Sequence, residues 1–236
     1  NTENAIGGVE FIIQDKEKAK PIEHFPHKND DDLTGCVTIV SRPYIDNSHN
    51  VPAGMYQIVF DAYYKDEAED RTSLFDITVW KLANNIDNEG YDTPQAWYTG
   101  RPQSVATCHE ILFMLCDMYN CSANGEIMGG GADVLAYAKR YRLLHRLDFE
   151  PEMLHNKELE SSQKNRSYLM NMTTDRKKQG MLYMEEWARE VRGATDKGHL
   201  INNVQRCYKI GMLREMLKAW SINTDRLSSG IIYQYM

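Results

Sequence analysis

Three acidic residues that lie far apart in the sequence have surroundings that suit metal ligands. Asp61 directly follows a short apolar run, Glu126 lies shortly before three consecutive glycines, and Asp225 follows Asn223 and Thr224. Carboxylate oxygens are the ligands that Mg²⁺ prefers, and a pair of such ions can promote hydrolysis of a phosphodiester. The glycines would let a metal or a phosphate approach the backbone closely. These residues favour a two-metal hydrolase if the fold brings the three acids together.

Each acid also has an ordinary structural explanation. An Asp at the end of a strand is often a turn residue, and an acid in the first turn of a helix complements the helix dipole. A Glu beside glycines can be a solvated loop residue. The separation of the three positions along the chain nevertheless lets two strands and a C-terminal helix present them at one end of a sheet.

The hydrophobic pattern predicts the elements that would position these acids. Runs rich in β-forming residues predict strands at 36–41, 55–60, 72–82, 96–99 and 122–128. The second strand ends at Asp61 and should pair with the third as an antiparallel hairpin. Apolar residues at helical spacing predict helices at 104–119, 133–142, 174–191, 204–219 and 224–235. We therefore expect an α/β fold in which a mixed central sheet of about five strands is flanked by helices and followed by C-terminal helices.

The composition is that of an ordinary folded domain. Of the 236 residues, 42% are hydrophobic and 26% are charged, which provides enough apolar content for a core. The polar residues 1–35 predict an arm or linker, and residues 36–236 predict one domain. The chain does not begin with Met, which is compatible with a domain of a longer polypeptide. It has no apolar stretch of membrane-spanning length, so we expect no membrane partner.

Charge and cysteine content narrow the function classes. The net charge of −7 argues against a protein that coats nucleic acid nonspecifically, since phosphate contacts need positive potential. Basic residues nevertheless cluster at 139–146 and 176–178. The five cysteines show no zinc-binding spacing and favour free thiols in a reducing cytosol. The chain has no GxxxxGK(S/T) motif, which argues against ATP hydrolysis by this chain alone.

Several segments occur in an order that resembles a known family. They are GMYQIVFDAYY at 54–64, SLFDITVWK at 73–81, AWYTGRP at 96–102, VLAYAKRY at 134–141 and NTDR at 223–226. Over about residues 36–236, the chain resembles the nuclease domain of the terminase large subunits of tailed phages, most closely those of crAss-like phages. The predicted order of strand, strand, strand, helix, strand and helix also resembles a ribonuclease H-like sheet.

The resemblance implies roles for particular residues. Asp61, Glu126 and Asp225 fall on the family's catalytic and metal-binding acids, which hold two Mg²⁺ or Mn²⁺ ions. The family commonly has Glu-Asn-Asn where this chain has Glu-Ile-Met, so Asp133 is an alternative to Glu126 as the second metal ligand, and Asp133 and Asp66 are candidate auxiliary acids. The candidate DNA-binding residues are Arg101, Arg176, Lys177, Lys178 and Arg226.

The resemblance implies a metal-dependent endonuclease that cuts duplex phage DNA during genome packaging. Its expected partners are double-stranded DNA, the terminase ATPase domain, the small terminase subunit and the portal. Its expected location is the host cytoplasm. Two alternatives stay open: a ribonuclease H-like junction resolvase or RNase H, and a motor or portal docking module that does not cut.

Overall fold

The structure is a computed structural model that describes residues 5–6, 9–10, 21–22, 32–63, 73–151 and 167–221. Several predictions fall on other parts of the chain. The last predicted helix, at 224–235, lies outside the described residues, and so do the candidate site residues Asp66, Asp225 and Arg226. Their predicted roles therefore stay predictions.

The described residues form short strands and a smaller number of helices. The strands are β1 (Ala5–Ile6), β2 (Val9–Glu10), β3 (Val37–Ile39), β4 (Tyr56–Asp61), β5 (Phe75–Lys81), β6 (Pro94–Gly100), β7 (Ala123–Gly125), β8 (Val191–Ala194) and β9 (Leu200–Asn202). The helices are α1 (Val105–Met118), α2 (Gly130–Tyr141), α3 (Thr174–Arg189), α4 (Asn203–Arg206) and α5 (Ile210–Ser221), with a short 3-10 turn at Leu144–Arg146. Within the described ranges, no helix is both long enough and apolar enough to cross a bilayer.

Five strands form one mixed sheet in the order β3-β6-β5-β4-β7. The pairs β3/β6, β6/β5 and β5/β4 are antiparallel, whereas β4 and β7 run parallel. A parallel pair needs a long crossover, and α1 lies on the connection between β6 and β7 that makes it. The prediction of a mixed sheet of about five strands, with antiparallel first strands and flanking helices, is therefore confirmed.

Further backbone pairing extends the sheet beyond β7. Leu147 makes a parallel bridge with Ala123, and Met170 makes a parallel bridge with Glu126. Asp148 donates its backbone N–H to the carbonyl of Ala123 at 3.0 Å. The chain after the 3-10 turn therefore covers the outer edge of β7, which would otherwise expose unpaired backbone groups.

The two faces of the sheet are covered by different helices, because successive strand side chains point to opposite sides. On the α1 face, Ile58 and Phe60 pack with buried residues of α1 and α2. On the α3 face, Val59 and Trp80 pack with buried residues of α3 and α5. Trp80 meets Trp187 of α3 edge to face, with ring centroids 5.6 Å apart.

Several predicted element boundaries differ from the structure. Helix α2 begins at Gly130, three residues before the predicted start at Asp133. Its first two residues are glycines because it packs directly against the backbone of Tyr63 and Glu126. The single helix predicted at 204–219 is wrong: it is divided into α4 and α5. The hairpin of β8 and β9, which no pattern predicted, precedes α4. The break between α4 and α5 contains Lys209, which is 5% exposed.

One histidine lies in the core on the α1 face. His109 of α1 is 4% exposed, and its ring makes edge contacts with Phe75 at 6.0 Å and Tyr137 at 5.1 Å. Its Nε2 atom is buried and has no hydrogen-bond partner among the described residues. Burial lowers the pKa of His109, and the nearby carboxylate of Asp133 opposes that shift without reversing it. The neutral imidazole is therefore the form that the fold favours.

This burial predicts a pH-dependent stability. In the folded protein the pKa of His109 lies below the ordinary value of 6.5. The contribution of His109 to the unfolding free energy is therefore fully present above pH 6.5, where the imidazole is neutral in both states. It is lost as the pH falls through the lower folded pKa, because the unfolded state then binds a proton more readily. His109→Phe should flatten the decline of the unfolding free energy between about pH 7 and pH 5, a window set by the ordinary histidine pKa. Urea denaturation at several pH values measures the unfolding free energy and its slope with pH. His199→Gln, at an exposed histidine, should keep the parent slope. Identical slopes for His109→Phe and the parent would contradict the prediction.

Candidate functional site

One end of the sheet carries acidic residues on three adjacent strands. Asp61, the last residue of β4, is the register partner of Asp76 in antiparallel β5. On its other side, β4 pairs with parallel β7 in a register that ends with Phe60 opposite Gly125. Asp61 and Glu126 are the residues that directly follow this last pair. We call Asp76, Asp61 and Glu126 the acidic row. Neighbouring strands lie about 4.8 Å apart, so Asp76 and Asp61 are adjacent on paired strands.

The acidic row faces the helices α3 and α5. Partners in a ladder point to the same side of a sheet, and alternate residues along a strand share a face. Val59 lies two positions before Asp61 and packs in the cluster of α3 and α5, whereas Phe60 packs on the α1 face. Asp61 is half-buried at the end of its strand. Asp61 and Glu126 each follow the last paired residues of β4 and β7, and their role as metal ligands stays a prediction.

Glu126 is in contact with a basic residue of α3. Lys177 Nζ lies 3.4 Å from Glu126 Oε2, and the two side chains are 33% and 17% exposed. Helix α3 begins directly after Thr173, whose hydroxyl accepts the backbone N–H of Arg176, and this N-cap fixes where the first turn lies. The structure therefore brings together a predicted metal ligand and a predicted DNA-binding residue.

Asp76, which was not predicted as a site residue, has several hydrogen-bond partners. Lys209 Nζ lies 2.7 Å from Asp76 Oδ1 and 2.6 Å from Asp76 Oδ2. Thr99 donates its hydroxyl to Oδ1 at 2.6 Å, and Thr78 donates to Oδ2 at 3.1 Å. An Asp within an otherwise apolar and β-branched strand was the available signal, but the sequence does not reveal the register that sets it beside Asp61.

The other predicted DNA-binding residues have different surroundings. Arg101 follows β6 at the same end of the sheet, where it donates to the carbonyl of Ser73 at 2.7 Å and stacks 4.2 Å from the ring centroid of Tyr63. Arg176 forms an ion pair with Glu150 at 2.5 Å. Lys178 is exposed. Arg176 thus has an intramolecular partner that would compete with a phosphate.

Asp133 does not join the acidic row. It lies in the first turn of α2, a helix whose Val134 and Ala138 pack on the α1 face. There its charge acts on His109 of α1. The structure therefore places Asp133 with the helices on the opposite side of the sheet from Glu126, because α2 follows β7 onto that face.

The glycines after Glu126 allow α2 to pack closely against the ends of the strands. A Cβ atom at Gly131 would lie 1.8 Å from the carbonyl oxygen of Glu126. A Cβ atom at Gly130 would lie 2.3 Å from the carbonyl oxygen of Tyr63. The atoms that approach these glycines are therefore the chain's own backbone beside Asp61 and Glu126, rather than the metal or phosphate that the sequence suggested.

Gly131→Ala should destabilise the fold, because backbone atoms of Glu126 would have to move. We expect the unfolding free energy to fall by about 2 kcal/mol or more, a typical cost of overpacking. Urea denaturation measures the change. Gly211→Ala is the matched control, since Gly211 lies in α5 and an added methyl group there would have nothing within 4 Å of it. It should raise stability by about 0.5 to 1 kcal/mol through helix propensity. A Gly131→Ala protein as stable as this control would contradict the packing argument.

No family model matches this chain, and no curated protein matches it.

The donor chemistry of the row suits Mg²⁺ or Mn²⁺, since carboxylate oxygens are the preferred ligands of hard divalent ions. Among the described residues, however, no group of three or more His, Cys, Asp or Glu side chains is arranged to hold a metal ion. Asp61 and Glu126 are the two predicted ligands that the structure describes, and Asp225 lies outside the described residues. The described acids therefore fit part of the predicted ligand set.

Proposed function

We propose that this chain is a metal-dependent endonuclease that cuts duplex DNA, the nuclease domain of a phage terminase large subunit with a ribonuclease H-like fold. The observation that carries the proposal is the register of two adjacent parallel strands. The last pair of that register is Phe60 and Gly125, the residues directly before Asp61 and Glu126. Two carboxylates at one sheet end, separated by 65 positions in the sequence, are what a divalent-ion site on this sheet requires.

The strand order supports the ribonuclease H-like part of the proposal. Three antiparallel strands, β4, β5 and β6, are followed by a crossover helix and by β7, which returns parallel to β4. This is the order of strands and helices expected of that fold. Strand order is shared in part by other α/β folds, so the acidic row is the stronger support.

In this proposal, Asp61, Glu126 and Asp225 hold two Mg²⁺ or Mn²⁺ ions. The ions, when bound, would activate a water molecule and stabilise the leaving oxygen of a phosphodiester. Asp61 pairs with Asp76 on β5, and Glu126 follows the partner of Phe60 on β7. Both Asp61 and Glu126 would be ligands of the bound ions.

Basic residues beside the row would position the DNA backbone. Lys177 is one-third exposed and lies next to Glu126, so its ammonium group could pass from that carboxylate to a phosphate. Arg101 is held at the same sheet end by Ser73 and Tyr63. Local positive charge of this kind is needed in a chain whose net charge is −7.

The proposal extends to the partners of a packaging motor. We propose that this domain acts with a terminase ATPase domain, the small terminase subunit and the portal, in the cytoplasm of the host cell. Its substrate would be double-stranded DNA, and its cutting would show little sequence preference.

The test is cleavage of defined nucleic acids by the purified chain. Linear duplex DNA, a four-way junction and an RNA–DNA hybrid should each be incubated with Mn²⁺, with EDTA as the blank. We expect cleavage of linear duplex with Mn²⁺ and none with EDTA. Glu126→Gln should lose about 10²-fold in rate, as expected when a group that stabilises the transition state is removed.

Other outcomes would replace the proposal with a different one. Cleavage restricted to the junction would indicate a resolvase, and cleavage restricted to the hybrid would indicate an RNase H. No Mn²⁺-dependent cleavage of any substrate would indicate a docking module. Glu110→Gln, at an exposed residue of α1, is the matched control and should cleave as the parent does.

A further inference from the structure

Lys209 is a buried lysine in the break between α4 and α5. It is 5% exposed and lies on the α3 face of the sheet. Lysine is rarely buried to this extent unless its charge is paired. The partner here is Asp76, the member of the acidic row on β5.

The bonds of Lys209 account for its whole hydrogen-bonding capacity. An ammonium group has three N–H donors, and Lys209 Nζ has three acceptors within range. They are Asp76 Oδ1 at 2.7 Å, Asp76 Oδ2 at 2.6 Å and Thr78 Oγ1 at 2.5 Å. The hydroxyl of Thr78, having accepted from Lys209, donates to Asp76. These three acceptors hold the ammonium group in one place.

The location of this network makes it relevant to ion binding. Asp76 is the register partner of Asp61, and opposed residues of an antiparallel pair have Cα atoms about 5 Å apart. The Asp76 side chain is 21% exposed. Like Asp61, it offers carboxylate oxygens that can bind a metal ion. Without Lys209, two neighbouring carboxylates on one face would repel each other and would together attract a divalent ion.

We propose that Lys209 is a positioning residue that occupies Asp76 and thereby confines divalent-ion binding to the side of the row formed by Asp61 and Glu126. The inference rests on the proposed nuclease function. Lys209 acts as a built-in monovalent cation at a carboxylate that would otherwise become an additional ion ligand. It therefore sets how many carboxylates an ion can use, and which of them.

The break in the helix supports a role beyond helix packing. Cys207, at the end of α4, has extended backbone angles of −88° and 117°, and Ile210 begins α5. Met212 and Met216 of α5 already attach that helix to Trp80 and Val59 of the sheet through apolar contacts. Burial of a lysine is costly and is not needed for that attachment. The lysine is directed at one carboxylate of the row.

The experiment is a titration of the full chain with Mn²⁺, in which electron paramagnetic resonance of the free ion counts bound ions and their affinity. Lys209→Met should bind Mn²⁺ about tenfold more tightly than the parent, or bind an additional ion, because ligand charge count tunes the affinity of such sites. In the double variant Lys209→Met/Asp76→Asn the gain should disappear. Unchanged Mn²⁺ binding by Lys209→Met would overturn the proposal, as would an equal gain in the double variant.

The double variant keeps the test decisive if Lys209→Met does not fold. It removes one positive and one negative charge together, and it should bind Mn²⁺ as the parent does. Affinity about tenfold weaker than that of the parent would identify Asp76 as an ion ligand in the native protein and overturn the proposal. Failure of the nuclease function would appear separately, as a parent chain with no Mn²⁺-dependent cleavage and an Asp61→Asn variant with unchanged Mn²⁺ affinity.

Discussion

Replacing Asp61 with Asn should reduce Mn²⁺-dependent cleavage of linear duplex DNA by about 10³-fold, equivalent to about 4 kcal/mol of transition-state stabilisation. Asp61 is the register partner of Asp76 in β5, and the residue before it, Phe60, is the partner of Gly125, which precedes Glu126. Asn preserves the size of the side chain and removes its charge, so the loss would reflect ion binding rather than packing. Initial cleavage rates at saturating Mn²⁺ measure the effect.

Two controls separate this effect from damage to the fold. Asp196→Asn changes an exposed Asp in the turn between β8 and β9 and should cleave at the parent rate. The thermal midpoint of Asp61→Asn in EDTA should lie close to that of the parent. An Asp61→Asn protein that is folded and cleaves at the parent rate would contradict the role of Asp61 as a metal ligand and remove it from the site.

Replacing Asp76 with Ala should lower the unfolding free energy by about 3 to 5 kcal/mol, because it leaves the buried charge of Lys209 without its counter-ion. Lys209 has an exposed side-chain fraction of 6%, and its ammonium group contacts both oxygens of Asp76. Thr78 and Thr99 would lose their acceptor as well. Urea denaturation in EDTA measures the loss without any contribution from divalent ions.

The control for Asp76→Ala removes an ion pair at the surface. Glu185 and Arg189 pair within α3, with side chains that are 35% and 77% exposed. Glu185→Gln should cost no more than about 0.5 kcal/mol, as is usual for solvated helix pairs. Lys209→Met/Asp76→Asn should recover most of the stability lost in Asp76→Ala. A cost below about 1 kcal/mol for Asp76→Ala would contradict the importance assigned to the pair.

The strands beside the site were predictable from local pattern. The run of apolar and β-branched residues at 55–60 predicted the strand that the structure gives as Tyr56–Asp61, with Asp61 at its end. The same reasoning predicted the antiparallel pairing with the strand that contains Asp76. The helix predicted at 104–119 matches α1, although the Ser104 side chain at its N-cap makes no capping hydrogen bond.

The start of α2 was less predictable, because glycines are poor helix formers in isolation. Gly130 and Gly131 are nevertheless helical, since only residues without a side chain fit against the backbone of Tyr63 and Glu126. The local preference of the two residues is thus overridden by a contact between distant parts of the chain.

The sequence by itself determined the strands of the central sheet and the helices α1 and α3, and it identified Asp61 and Glu126 as acids at strand ends, because hydrophobic period is a property of neighbouring residues. Only the tertiary structure decided that Asp76 joins them, that Asp133 faces the other side of the sheet, and that one predicted helix breaks at Lys209. The physical reason is that register and burial depend on partners far away in the chain. Lys209 and Asp76 are 133 positions apart, and no local pattern records that they meet.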